Sequence, residues 1–437
     1  MTLRFALMSS LIFLLSPTLI WGKTPNMILI MADDMGYECV GANGSTTYKT
    51  PVLDQIATDG MRFTNCFSTP ICTPTRVQIM TGKYNFRNYS HFGYLSPDCT
   101  TFAHHLKKAG YATCIAGKWQ LNGIYHDLPG NQDRRRPFAF GFDQTCLWQV
   151  TKQKKEGERF ADPLIEVNGE VSRRTGDYGP DIFTNFICQF IEDHKEEPFF
   201  CYYPMVLVHD PFVPTPDSPE WNTDQRKKKN KRFFADMVAY ADKLVGKILQ
   251  KLEQEGLAEN TLVLFVGDNG THRSISTPTR NGRVQGGKGL TIETGIHVPM
   301  FASWKGTLPA GKVCHDLIDF TDVLPTLLDC ASLDTKPAMD GRSFLPQLKG
   351  EKGNPRTHIF CHYDPRWGPM AKTPTRFVRD EQYKLYHDGR FFDVVADPLE
   401  EKEISKTTNG EATTSRKSLQ KALDAMPPWN PAISKGA

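Results

Sequence analysis

Asn26-Met-Ile-Leu-Ile-Met-Ala-Asp33 is a nearly continuous apolar run that ends in a carboxylate. A strand with one wet face alternates apolar and polar residues. This run does not alternate, so it suits a sheet covered on both faces. The same design recurs at residues 111–119, 199–209 and 261–268. Between these runs, residues 51–59, 102–108, 181–194 and 233–255 carry apolar side chains at helical spacing. Such alternation predicts an α/β fold, with a large mostly parallel mixed sheet flanked by helices. Polar residues cluster at the carboxyl ends of the runs, where open α/β sheets place their sites. Beyond Gly350 the texture changes. Short strand-like runs at 357–363, 376–380, 383–386 and 391–395, then a helix near 415–426, predict a small C-terminal α+β subdomain with an antiparallel sheet. The expected division is a leader at 1–22, a large domain at 23–350 and the subdomain at 351–437.

The chain has 437 residues, enough for a large core. A net charge of +3 with 23% charged residues argues against nucleic acid as a partner. No segment joins a basic stripe to interleaved stacking aromatics. The run Arg226 to Arg232 reads as a solvated helix start rather than a polyanion patch. The first 22 residues read as a secretory signal peptide: Arg4 supplies the positive start, an apolar run follows, and Gly22 suits cleavage. The alternative is an uncleaved anchor, but Ser9, Ser10, Ser16 and Pro17 interrupt a run already short for a span. Export, periplasmic or secreted, is the expectation, with no stable membrane insertion. Of eleven cysteines, Cys114, Cys188, Cys201 and Cys330 sit in apolar runs and read as buried free thiols. No Cys-x-x-Cys pair points to a structural zinc site.

Cys72-Thr73-Pro74-Thr75-Arg76 places a nucleophile precursor and a fixed cation at what reads as a helix start. Thr73 suits the N-cap and Pro74 the first turn, leaving backbone N–H groups to face an anion. Arg76, one turn in, can reach the same point as a bidentate donor. A lone cysteine before a helix is ordinarily a small buried hydrophobe. Three residues between Cys72 and Arg76 are also too few for the phosphate loop of a cysteine phosphatase. Asp33-Asp34 and Asp268-Asn269 each close an apolar run, and each alone reads as a turn or cap. Together they bring three carboxylates and an amide to one sheet edge, a set that repels itself unless a cation sits within it. All-oxygen ligation selects a hard ion, calcium before magnesium.

Cys72 to Arg76, with Thr81-Gly82-Lys83 downstream, resembles the signature of the formylglycine-dependent sulfatases of the alkaline phosphatase superfamily. The resemblance implies an alkaline-phosphatase-like sandwich. It also implies that a formylglycine-generating enzyme oxidises Cys72 to an aldehyde, whose hydrate is the nucleophile. Asp33, Asp34, Asp268, Asn269 and the modified Cys72 match the family's calcium ligands. Gly117-Lys118-Trp119-Gln120-Leu121 is similar to a segment whose lysine binds sulfate, which gives Lys118 that role. Gln120 stands where the family usually has histidine, and an amide cannot accept a proton at neutral pH. His272 is a candidate replacement. His209-Asp210-Pro211-Phe212-Val213-Pro214 resembles the segment that supplies the leaving-group histidine, here His209. Gly286-Gly287-Lys288-Gly289 makes Lys288 the second contact to the ester oxygen, and His297 replaces an arginine whose role is structural. Asp340 to Pro346 and Phe392 to Glu400 carry further echoes, so the likeness spans residues 26–403.

The resemblance thus implies an exported hydrolase of sulfate monoesters, with a sulfated sugar or polysaccharide as the expected substrate. Catalysis is assigned to Cys72, Arg76, Lys118, His209 and Lys288. Two other readings stay open: a phosphodiester or phosphonate monoester hydrolase of the same superfamily, and a non-catalytic module that binds sulfated glycans. Arg134 to Arg136 and Arg173-Arg174 lie in the longest irregular region, either as substrate grips or as plain surface loops.

Overall fold

The computed structural model describes residues 24–152, 158–334, 339–367, 374–405 and 410–429. The leader predicted at 1–22 lies outside them. Asn26–Ala32 is a strand buried at every position and sits centrally in a ten-stranded sheet. Thr261–Gly267 and Phe199–Pro204 flank it in parallel, and Ala112–Lys118 and then Gln144–Trp148 continue outward in parallel. Antiparallel pairing is confined to the flanks, through Met300–Ser303 on one side and Leu164–Val167 with Glu170–Arg173 on the other. The lack of alternation in the central run has its reason here. Ile28 and Ile30 enter one apolar core, while Met27, Leu29 and Met31 enter the other. The helices Pro51–Asp59, Gly179–Asp193 and Phe233–Gln254 contribute to the first core, and Cys72–Thr81, Phe102–Lys108 and Val323–Cys330 to the second.

The C-terminal part is a four-stranded antiparallel sheet, Ile359–Tyr363, Thr375–Arg379, Tyr383–Tyr386 and Phe391–Asp393, with the helix Gly410–Asp424 against it. It is tied to the large sheet's loops by Arg379, whose Nε and Nη2 reach the two carboxylate oxygens of buried Glu293 at 3.0 and 2.9 Å. All eleven cysteines are free, with Cys188 half-buried. Among the described residues no helix is long and apolar enough to cross a membrane.

Three local expectations are corrected. The apolar run at 199–209 is a strand only to Pro204. Beyond it the chain leaves regular strand geometry but keeps its pairing with the end of the central strand, with Met205 N donating to Met31 O, Asp33 N to Leu207 O and Val208 N to Asp33 O. The nucleophile helix starts at Cys72 with Ile71 as its N-cap, so Thr73 lies in the first turn. The basic run, read as a helix start, lies in turns, and the helix expected at 233–255 begins where its apolar spacing does, at Phe233.

Asp242, buried on the long helix, accepts from Val52 N at 3.0 Å and Leu53 N at 2.8 Å and so caps the helix Pro51–Asp59. Burial pushes its carboxyl up to about 6. Asp242→Ala is expected to cost about 2 kcal/mol, measured by urea unfolding. The folded value lies above the unfolded one, so the native state takes up the proton first as pH falls. Relative to Asp242→Asn, the wild type therefore gains stability from pH 7 to pH 5, and a gap independent of pH would refute this cause.

Candidate active site

The carboxyl ends of three strands of the parallel core converge, with Phe199–Pro204 between the central strand and Ala112–Lys118. Asp33 and Asp34 follow the central strand, Asp268 and Asn269 follow Thr261–Gly267, and Lys118 ends Ala112–Lys118. Two residues in succession after a strand would normally point apart. Asp34 has a φ of +63°, and this left-handed turn lets both carboxylates serve one point. Gly117, with φ +117°, lets its strand approach the next, because a Cβ there would lie 2.1 Å from Pro204 O.

Lys118 Nζ lies 3.0 and 2.8 Å from the two oxygens of Asp33, and both side chains are 2% exposed. Burial alone would raise the Asp33 carboxyl, but Lys118, with Lys288 behind it, holds it well below the carboxylate range. Lys118 is held above its ordinary value by Asp33 and Cys72 against the opposing effect of burial. Asp268 stands apart: burial, then Asp33 and Asp34, push it far up. Its Oδ1 accepts from Asp34 N at 2.9 Å, and Asn269 Nδ2 donates to Asp34 Oδ1 at 2.9 Å. Asn269 Oδ1 is buried without a hydrogen-bond partner.

These residues fit a metal ion. Cys72 has ligand atoms within 4.8 Å of Asp33 and Asp268, and Asp34 and His209 stand equally near Asp33. An orphaned amide oxygen beside three buried carboxylates, one of them forced up by the others, is what a hard divalent cation would satisfy.

Cys72 is 3% exposed, and burial raises its thiol, so the unmodified side chain is a poor nucleophile. Arg76, one turn along, is 1% exposed and donates through Nη2 to Lys118 O at 2.5 Å. Its Nε and Nη1 are buried and without hydrogen-bond partners. A buried guanidinium with spare donors is costly unless an anion completes it.

Lys288 Nζ bridges Asp34 Oδ2, at 2.6 Å, and His209 Nε2, at 2.9 Å. His209 Nδ1 faces two acceptors, the Asp210 carbonyl at 2.6 Å and its carboxylate at 3.1 Å, and one donor, Arg159 Nη2 at 2.9 Å. Lys288 has only donors to offer, so Nε2 accepts from it and the ring hydrogen sits on Nδ1. The hydrogen bond from His209, with the positive charge of Lys288 beside it, holds the Asp210 carboxyl well below its usual range. Arg159 donates to the same Asp210 carbonyl while lying over the Trp148 and Phe160 rings, at 4.7 and 5.2 Å.

A cavity of about 340 Å³ opens over this cluster, lined by Cys72, Gln120, His209 and Lys288 and by Arg159, Asp210 and Lys229. Gln120 (φ +48°) donates to Gln149 Oε1 at 2.9 Å and to the Tyr125 hydroxyl. His272 is not among the lining residues; its Nδ1 lies 2.8 Å from Ser274 Oγ, so it does not stand in for the missing histidine. His297 stacks between Tyr37 and Phe67, at 4.0 and 5.1 Å, as a structural residue. Arg136 is likewise structural, over the Tyr94 and Phe140 rings, and none of Arg134, Arg135, Arg173 and Arg174 lines the cavity. Arg159 is a cation the sequence did not single out, and Lys229 belongs to the basic run read as solvated, yet both line the cavity. A larger groove of about 820 Å³, between Pro51–Asp59, Phe233–Gln254 and the sheet, holds none of the predicted residues.

A buried cysteine ringed by fixed cations and a carboxylate nest, at the carboxyl edge of a parallel sheet, fits a hydrolase for esters of tetrahedral oxyanions. Residues 25–333 match the Sulfatase family model, and residues 287–427 match the model described as N-sulphoglucosamine sulphohydrolase, C-terminal. The chain belongs to the sulfatase family, whose members are sulfuric ester hydrolases. It is 31% identical to N-acetylgalactosamine-6-sulfatase of Mus musculus, with 75% of this chain and 67% of the relative covered. It is 30% identical to arylsulfatase A of Homo sapiens, with 89% and 80% covered. Ps i-CgsB, solved in complex with k-i-k-neocarrahexaose, superposes with TM-score 0.72 at 25% identity, covering 94% of this chain and 99% of that one. Phosphonate monoester hydrolase of Agrobacterium radiobacter shares the fold, with TM-score 0.66 at 19% identity, covering 92% and 95%.

Proposed function

We propose that this chain is an exported sulfatase that cleaves a sulfate monoester of a sulfated carbohydrate, after Cys72 has been converted to formylglycine. The observation that carries the reading is Arg76, buried with two spare donors beside Cys72 and Lys118. Sulfate offers the oxygens those donors lack. Asp33, Asp34, Asp268 and Asn269 would hold the ion, calcium by their donor type, and it would supply Lewis-acid charge next to residue 72. The formylglycine hydrate would supply both a nucleophilic oxygen and a second hydroxyl from which sulfate can later be expelled.

The chain's own residues do the rest. Arg76 and Lys118 hold the charge on the non-bridging oxygens and orient sulfur toward residue 72. Lys288 holds the proton nearest the leaving oxygen and passes it there directly or through His209 Nε2. Asp210 fixes the imidazole through Nδ1, and Gln120, tied to Gln149 and Tyr125, binds without taking a proton.

The test is inorganic sulfate release from a panel of sulfated sugars and polysaccharides by protein co-produced with a formylglycine-generating enzyme. Release is the expected result. No release from protein whose residue 72 is shown by peptide mass to be converted, together with turnover of a phosphate diester or phosphonate monoester, would replace this reading with its phosphorus counterpart.

A further inference from the structure

The mouth of the cavity is aromatic. Among the described residues six large apolar side chains are exposed, and two of them, Tyr125 (42%) and Trp367 (40%), line this cavity. Trp367 stacks on Phe92 at 4.5 Å with ring planes 13° apart, and Tyr125 lies 5.8 Å from the same phenylalanine. Phe92 in turn belongs to the apolar cluster that contains Ile71 and Cys72. Phe92, itself buried, thus backs the two exposed rings and joins them to the cluster around the nucleophile. Exposing two large rings at one place is unfavourable unless something covers them.

The polar groups around these rings indicate what covers them. Gln149, Glu158, Asp210 and Lys229 line the same cavity and present both donors and acceptors. An aryl leaving group would need only an apolar slot. A ring with an apolar face and a rim of hydroxyls uses stacking and mixed hydrogen bonding together, and that ring is a pyranose. A cavity of about 340 Å³ also exceeds what one sulfate fills.

We propose that Trp367 and Tyr125, backed by Phe92, form a stacking subsite for the sugar ring next to the one bearing the scissile sulfate, so that the preferred substrate is an oligosaccharide. The inference rests on the sulfatase reading and adds to it the substrate's length and the residues that measure it.

The test compares wild type, Trp367→Ala and Trp367→Phe on 4-nitrophenyl sulfate and on sulfated mono- and trisaccharides from ι-carrageenan and chondroitin 6-sulfate. The wild type is expected to favour trisaccharide over monosaccharide. Trp367→Ala should shrink that preference about tenfold through KM, the size expected of a lost stacking contact, and leave kcat within about twofold. Trp367→Phe should restore most of it, and the two small substrates should not change. Equal loss on every substrate, loss confined to the aryl sulfate, or no loss would overturn the subsite while leaving the sulfatase reading intact. If the wild type releases no sulfate at all, that reading fails instead. Calorimetric binding of the same trisaccharides to wild type and Trp367→Ala then decides the subsite, with equal affinity or no binding counting against it.

Discussion

Cys72→Ala is expected to lower sulfate release by about 10⁴-fold or more while the protein still folds. Cys72 is buried in the small cluster that holds Phe67, Ile71 and Phe92, and removing one sulfur from such a site costs on the order of 1 kcal/mol. The anion-binding groups Arg76, Lys118 and Lys288 remain, so the variant should still bind sulfate esters. Cys72→Ser separates the nucleophile from its modification. Produced where no maturase converts serine, it has one hydroxyl, and after accepting the sulfonate group it has no second oxygen with which to expel it. One equivalent of alcohol without turnover, and a residue-72 peptide heavier by a sulfonate group, would identify the two-hydroxyl requirement. Steady turnover by this variant would refute the formylglycine reading, because attack by water on sulfur would then suffice.

Much of the fold was legible because the central strand reports its own surroundings. An apolar run without alternation has one physical solution, burial on both faces, and Met27 to Met31 divide between two cores as that solution requires. The carboxylates were legible for a related reason, since a charge placed directly after a buried strand must stand at the sheet edge. What the sequence concealed lies in loops. Nothing in residues 205–208 reveals that the regular strand ends at Pro204 while their N–H groups and carbonyls go on pairing with Met31 and Asp33. Helical spacing cannot tell Ile71 from Thr73 as the cap, because tertiary packing sets where the first turn closes. Arg159, Tyr125 and Trp367 belong to segments without periodicity, and only the fold brings them over residue 72. Lys229 hid in a run of like charges in which Arg226 and Lys227 pair with Asp162 and Arg232 with Glu220.

Lys118→Met is expected to move two properties of the site in opposite directions. Lys118 gives Asp33 two hydrogen bonds and its nearest positive charge, both inside the protein. Methionine keeps most of the volume and removes the charge, leaving Asp33, Asp34 and Asp268 with one cation fewer between them. For the sulfate ester this is a loss: Arg76 alone would face the charge on the non-bridging oxygens. A preorganised donor of this kind is worth about 10²–10³-fold in kcat. For the metal-free protein it is also a loss, because a buried carboxylate stripped of its partner costs about 3–5 kcal/mol. For a divalent cation it is a gain, since the carboxylate nest becomes more negative by one charge. The variant should therefore melt well below wild type in chelator, recover a larger share of its Tm than wild type on calcium addition, and remain slow. A thermal shift series in calcium and magnesium, with chelator as the zero, reads this directly. If calcium raised the Tm of Lys118→Met by no more than that of wild type, Asp33 would not be a metal ligand, and the nest would be a hydrogen-bonded device for holding Lys118 and Lys288 in place.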